Sequence, residues 1–407
     1  MSESNIYEPG GDRGGPPSSS SSPSSSSSSS SSPLRVAVAG GGVAALETAI
    51  GLAELAGDRV ATTVIAPNAE FSYRPLAVRE PFAYAPARRY PVARIVADAG
   101  AELVVDELEW VDPDSHTLHT AGGQALEYDA LVLALGAHAK PRYPHAITID
   151  DHRLDEILHG LIQDVEGGYV HSVAFVAAGR MAWPLPLYEL ALMTVARAYD
   201  MDVNLAVTII TPEDAPLAIF GAAASDAVSE RLTRANIRVL DSAYAEVPSA
   251  GEVVVNPGDR RLQVDRVVAL PELYGPEIRG VPLGEHGFVR VDPHGRVAET
   301  QDLYAAGDAT AFAIKHGGIG SQQADAVAEA IAARAGVAIE PAPFQPTIRG
   351  MLLTGERPLY LMARITGGHG FSSEVADAPL WSPPSKVASR YLAPYLDGLD
   401  RERQAPA

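Results

Sequence analysis

The chain of 407 residues contains no cysteine. That excludes structural disulfides, thiolate metal sites and any dithiol redox centre within the chain. Positive charge is also scarce. Thirty-one lysines and arginines stand against 51 acidic residues, for a net charge of −20, which argues against nucleic-acid partners and against electrostatic docking on anionic lipid. No apolar run reaches the roughly 18 residues of a membrane span, and the first residues lack a basic-then-apolar leader, so a cytoplasmic address is expected. Residues 1–33 are serine, glycine and proline with few apolar groups. Such a segment cannot bury enough surface to offset its ordering entropy and is expected to be disordered.

The remainder has what a globular protein needs, with 46% hydrophobic residues over a length that allows two or three domains. Its organising stretch is residues 34–57, LRVAVAGGGVAALETAIGLAELAG. Residues 36–39 form an unbroken apolar run, as expected of a strand buried on both faces of a parallel sheet. A glycine turn follows at once. Gly40-x-Gly42-x-x-Ala45 fits the dinucleotide fingerprint. Gly40 allows the tight turn, Gly42 lets backbone approach a pyrophosphate, and Ala45 lets helix and strand pack closely. Amides at the start of the helix, with the positive end of its dipole, then suit phosphate. The next expected strand, residues 60–66, arrives at the right distance. The acid that usually holds a ribose at its end is missing, and Asn68, Glu70 or main chain takes its place.

Further along, residues 71–82 and 87–96 are rich in aromatics and arginine and read either as a flap over a cofactor ring or as a surface connection. Residues 110–128 alternate with turn signals as a small β-meander, and residues 128–137 are a second buried strand ending in glycine. From residue 150 the pattern restarts, with helices at 154–165, 187–199 and 225–235 and strands at 173–177, 203–211, 237–240 and 265–270. This is a second βαβ-type unit whose phosphate turn is degraded. Gly179 is followed by Arg180, Met181, Ala182, Trp183, Pro184, Leu185 and Pro186, and the prolines lack the amides that a pyrophosphate needs. A normal nicotinamide site is therefore not expected, unless Arg180 and Glu213 replace the lost contacts. Trp183 and Pro184 read either as the wall of a substrate pocket or as an apolar plug.

The segment 303–310, LYAAGDAT, places Gly307-Asp308 at the end of a further strand. An N-terminal glycine turn followed far downstream by Gly-Asp resembles flavoproteins of the pyridine nucleotide-disulfide oxidoreductase superfamily, over about residues 34–336. The degraded second fingerprint, the PLPLYELAL helix and the closing passage from Trp381 to Lys386 and RYLAPYL are similar to its sulfide:quinone oxidoreductase branch. The resemblance implies an α/β fold with two Rossmann-like domains, β-meanders and a C-terminal cap. It implies a divided FAD domain (34–146 and 271–336), an NAD(P)-binding-like domain (147–270) and a cap (337–407). It further implies noncovalent FAD held around Gly40, Gly42, Val43, Ala44, Ala45, Pro67, Arg74, Leu108, Gly136, Gly307, Asp308, Lys315 and Gly318. Asp308 would accept from the ribityl chain, and the helix expected at 319–335 would start beside the flavin pyrimidine. The branch attacks sulfide with cysteines, so that chemistry cannot operate here.

By this resemblance the chain is expected to be an FAD-dependent oxidoreductase of unassigned donor, with a quinone-like molecule as one candidate acceptor. Two alternatives stand beside it: an NAD(P)H-dependent flavin reductase, and a flavin-holding protein without turnover, since no catalytic acid, base or nucleophile is identifiable. The leucine- and aromatic-rich end could pack near the flavin, form a homodimer face or touch a lipid surface, although it has no basic polar face for the last.

Overall fold

A computed structural model describes residues 32–83, 86–179, 183–366 and 370–404. The serine-rich tail therefore falls almost wholly outside the described residues, and Arg180, Met181 and Ala182 lie outside them too.

In chain order the elements that position the site begin with β1 (Leu34–Ala39), α1 (Val43–Ala56), β2 (Val60–Ile65), β3 (Glu102–Val104) and β4 (Ala130–Leu133). Next come α2 (Leu154–Glu166), β5 (Ser172–Val176), α3 (Leu185–Asp200), β6 (Ala206–Ile210), α4 (Ala222–Arg234), β7 (Arg238–Leu240) and β8 (Arg266–Ala269). The chain then continues through β9 (Leu303–Ala305), α5 (Gly317–Arg334), β10 (Thr347–Leu352), β11 (Leu359–Thr366), β12 (Gly370–Ala376) and α6 (Leu392–Gln404).

The first sheet is parallel with strand order β9-β4-β1-β2-β3. Its central strands are buried on both faces, which is why they read as continuous apolar runs and not as alternating ones. The second sheet is also parallel, ordered β8-β5-β6-β7, with the short strand Ile147–Thr148 at the outer edge of β8. Antiparallel meanders flank each sheet, one over Leu108–Asp112, Thr117–Thr120 and Ala125–Glu127, the other over Tyr244–Ser249, Glu252–Asn256 and Arg260–Gln263.

Helices α1 and α5 lie against each other on one face of the first sheet because both carry small residues where they meet. A side chain on Gly51 would touch Ala328 at 3.3 Å and the Tyr391 ring at 3.1 Å. One added methyl group at Gly51 would therefore require the Ala328 methyl and the Tyr391 ring to give by a few tenths of an ångström. The C-terminal segment is not the loose set of proline-jointed turns its sequence suggests. Strands β10, β11 and β12 form an antiparallel sheet, and the chain closes with α6 against α1. The apolar residues of β10 and β11 are buried without regular alternation, so a period-two pattern was not there to be read.

Candidate functional site

The carboxyl ends of β1, β4 and β9 meet the amino ends of α1 and α5 at one place. Gly40 adopts φ +131°, and its amide donates to the Ile65 carbonyl at 2.8 Å. A side chain there would run into the Ala134 carbonyl oxygen at the end of β4. Gly40 therefore seals the turn against its own sheet. Gly42 differs: a β-carbon on it would meet nothing within 4 Å. The backbone at Gly42 thus faces open space at the start of α1, as an anion-binding turn requires. Gly136, at φ +77°, ends the neighbouring strand and likewise borders open space.

Gly307 follows β9 at φ +77°, and a β-carbon on it would lie 3.0 Å from the Ala44 methyl. Its amide donates to the Gln323 side-chain oxygen of α5 at 2.8 Å. Gln323, which no motif singles out, also exchanges hydrogen bonds with Thr310 and so fixes the Gly-Asp turn onto α5. Val43 and Val387 both flank the position a Gly317 side chain would take. The first glycine turn, the Gly-Asp turn, the start of α5 and the segment leading into α6 are therefore one packed unit.

Asp308 is half-buried, and no described residue donates a hydrogen bond to its carboxylate. Burial pushes it up to about 6, Lys315 and Arg74 oppose that shift, and Asp151 adds to it. Arg74, at the start of the turn-like helix Arg74–Phe82, sits 3.6 Å from the Asp151 carboxylate and 2.7 Å from His152 Nε2 on the inter-sheet connection. A small charged cluster of Arg74, Asp151 and His152 thus stands near the Gly-Asp turn, and its last two members carried no sequence signal. Lys315 is buried, and its ammonium donates to the Thr310 carbonyl and lies 3.9 Å from the centre of the Phe288 ring. His316 caps α5, its Nδ1 accepting from the Gly318 amide at 3.2 Å. Burial, with the Lys386 and Arg349 charges, holds this imidazole down to about 3 and hence neutral. Gly318 is therefore engaged by the cap through its amide.

Two expected residues stand apart from this convergence through their side chains. Leu108 packs into the apolar cluster with Ala39, Ile65 and Leu133 and pairs in register with Thr120. Pro67 and Asn68 are exposed just past β2, while Glu70 is 3.6 Å from Arg89 at the surface. Val105 is 64% exposed directly after β3, whose Val104 carbonyl accepts from the Ala66 amide at the end of β2. An apolar side chain left in solvent at the carboxyl edge of the sheet is a feature that no motif announces.

The second turn is built differently. The Gly179 α-carbon faces the Tyr244 ring, and a β-carbon there would sit 3.1 Å from it. Glu213, just past the end of β6, accepts from the Tyr188 hydroxyl at 2.6 Å and the Thr211 hydroxyl at 3.0 Å. Burial raises Glu213 above the ordinary carboxylate range. The Trp183 ring lies 4.2 Å from that of His316, which caps α5, and 5.7 Å from that of Phe220.

Paired parallel sheets with a glycine turn, a Gly-Asp turn and a helix start in contact define a two-dinucleotide-fold oxidoreductase. The chain belongs to the pyridine nucleotide-disulphide oxidoreductase family, whose profile matches residues 34–333, and it is a flavin-dependent oxidoreductase. It is 27% identical over 300 residues to an NADH dehydrogenase-like protein of Mycobacterium tuberculosis, covering 68% of this chain and 73% of that one. A sulfide-quinone reductase of Aquifex aeolicus is 31% identical over 106 residues, 25% of this chain and 24% of that one. Among solved structures, the sulfide:quinone oxidoreductase of Aquifex aeolicus superposes with a TM-score of 0.77 at 20% identity, covering 84% of this chain and 87% of that one. A ferredoxin reductase from Rhodopseudomonas palustris superposes with a TM-score of 0.64 at 20% identity, covering 85% and 89%.

Proposed function

We propose that the protein holds FAD at the turns of Gly42 and Gly307-Asp308 and passes electron pairs from a donor other than NAD(P)H to a quinone-like acceptor. The observation that carries this reading is the contrast between the two turns. Gly42 opens onto free space and Asp308 offers an unclaimed carboxylate, whereas a side chain on the exposed Gly179 would meet the Tyr244 ring and Glu213 is turned inward to Tyr188. Amides at the start of α1 would hold the pyrophosphate, Gly42 would let it close in, and Asp308 would accept from ribityl hydroxyls. Main chain near Ala66 and Val105 would bracket the adenosine end. The isoalloxazine supplies the two-electron chemistry once bound. The positive end of α5, next to neutral His316, favours negative charge nearby.

The acceptor is read from Trp183, whose ring packs edge-on to buried Phe220 and tilted against His316 and so sets an aromatic face at the start of α5. The relatives named for quinone and for ferredoxin support an electron carrier as partner in general, and the aromatic wall favours the quinone-like one. Among the described residues no helix is long and apolar enough to cross a membrane. Purified protein should be yellow, acid should release FAD, and a soluble quinone should reoxidise the chemically reduced protein. Colourless protein that does not take up FAD would overturn the reading. Loss of quinone reoxidation on changing Trp183 to Ala, with FAD retained, would support the acceptor wall.

A further inference from the structure

The buried lysine beside the Gly-Asp turn has a definite job in the geometry. The turn is tied on one side to the preceding segment, where the Val289 amide donates to the Ala309 carbonyl at 2.9 Å and the Ala311 amide to the Val289 carbonyl at 2.7 Å. On the other side Lys315 reaches back over the loop, its ammonium between the Phe288 ring and the Thr310 carbonyl. That carbonyl is two residues from the Asp308 carboxylate. A cation desolvated among apolar groups needs compensation, and here one carbonyl, one aromatic face and the Asp308 charge provide it.

We propose that Lys315 is a positioning residue that clamps the Gly307-Asp308 turn and keeps Asp308 ionised as the FAD acceptor, so that FAD affinity depends on the charge of Lys315. This rests on FAD binding at Asp308 as proposed above. The groups facing Asp308 are Lys315, Arg74 and Asp151; the charged group acting on Lys315 is Asp308. Burial holds Lys315 down to about 8, while Asp308 is pushed up to about 6. The signs then define a window. Below about 6 the carboxylate is lost, above about 8 the ammonium is lost, and both charges are present between. Apo-protein should bind FAD most tightly inside that window.

The test is the FAD dissociation constant of the full chain, after removal of its flavin, from pH 5 to 9.5, for wild type, Lys315→Met, Lys315→Arg and Asp308→Asn. Wild type should weaken on both sides of the window. Lys315→Met should lose the alkaline limb. It should also bind about tenfold more weakly at pH 7, because removing an opposite charge raises a carboxylate by about one to three units. Lys315→Arg should keep wild-type affinity at pH 7 and hold it to pH 9.5, since a guanidinium does not titrate there. Melting of each apo-protein separates misfolding from weak binding. An alkaline limb that persists in Lys315→Arg, or a Lys315→Met profile identical to wild type, would overturn the proposal. Weakening by Asp308→Asn without any effect at Lys315 would overturn it alone and leave the FAD reading standing. Failure of wild type to bind FAD would overturn both.

Discussion

The Lys386 ammonium and the Glu189 carboxylate meet at 2.7 Å with both side chains almost wholly buried. Lys386 belongs to the irregular segment between β12 and α6, and Glu189 to α3. The same ammonium donates to the Pro75 carbonyl at 3.0 Å, and the other carboxylate oxygen accepts from the Leu353 amide at 2.8 Å. Four segments far apart in the chain are thus joined through one ion pair. Because such a pair is desolvated, removing one member leaves a buried charge without compensation.

Lys386→Met should therefore destabilise the protein by about 3–5 kcal/mol, read from chemical denaturation. The double variant Lys386→Met with Glu189→Met should recover much of that loss, because the stranded charge is gone. A Lys386→Met protein as stable as wild type would show that the pair does not join the cap to the core.

A second buried pair makes stability fall as pH rises. Glu47 on α1 accepts the amides of Arg390, Tyr391 and Leu392 at 2.7, 2.9 and 2.6 Å at the start of α6; burial raises this carboxyl, and the three amides oppose that shift. Asp325 on α5 faces it, and burial together with Glu47 pushes Asp325 up to about 8. Unfolded, it would ionise near about 3.9. The folded chain therefore carries the extra proton across that interval, and its stability should decline as pH rises from about 4 to 8. Asp325→Asn should flatten this slope in melting curves taken at pH 5 and pH 8. An unchanged slope would place the proton elsewhere.

The two glycines of the first turn should separate fold from ligand. Gly40→Ala drives a methyl group into the Ala134 carbonyl at a left-handed φ, a conformational strain that alone costs of order 1–3 kcal/mol, and it should lower the melting temperature of the apo-protein. Gly42→Val points into open space, so it should leave that temperature unchanged while abolishing FAD retention. Equal losses of stability in both would contradict the division.

The parallel sheets were legible because their central strands carry short apolar runs bounded by turn residues, and Gly40, Gly42, Gly307 and Asp308 were legible because the spacing of small residues is itself the geometry. Element ends moved by only a residue or a few; the helix expected from 319 begins at Gly317, where His316 supplies the cap. The antiparallel C-terminal sheet escaped because its buried strands do not alternate. The pairs that hold the site escaped for another reason. Lys386 and Glu189 lie 197 residues apart and Gln323 reaches Gly307 across 16, and composition or periodicity carries no signal of such partners. Gly179, which looks like a remnant of a phosphate turn, is accounted for by the Tyr244 ring against its α-carbon.

With Glu213 held inward by Tyr188 and prolines in place of amides after Gly179, electrons should reach the flavin by a route that does not pass through the second turn. The most direct measurement is anaerobic mixing of the FAD-loaded protein with sub-millimolar NADH or NADPH while the flavin absorbance is followed. The flavin should stay oxidised over minutes with either nucleotide and bleach promptly with dithionite. Rapid bleaching by NADH or NADPH, abolished by changing Glu213 or Arg180, would contradict that route and establish a nicotinamide-dependent reductase.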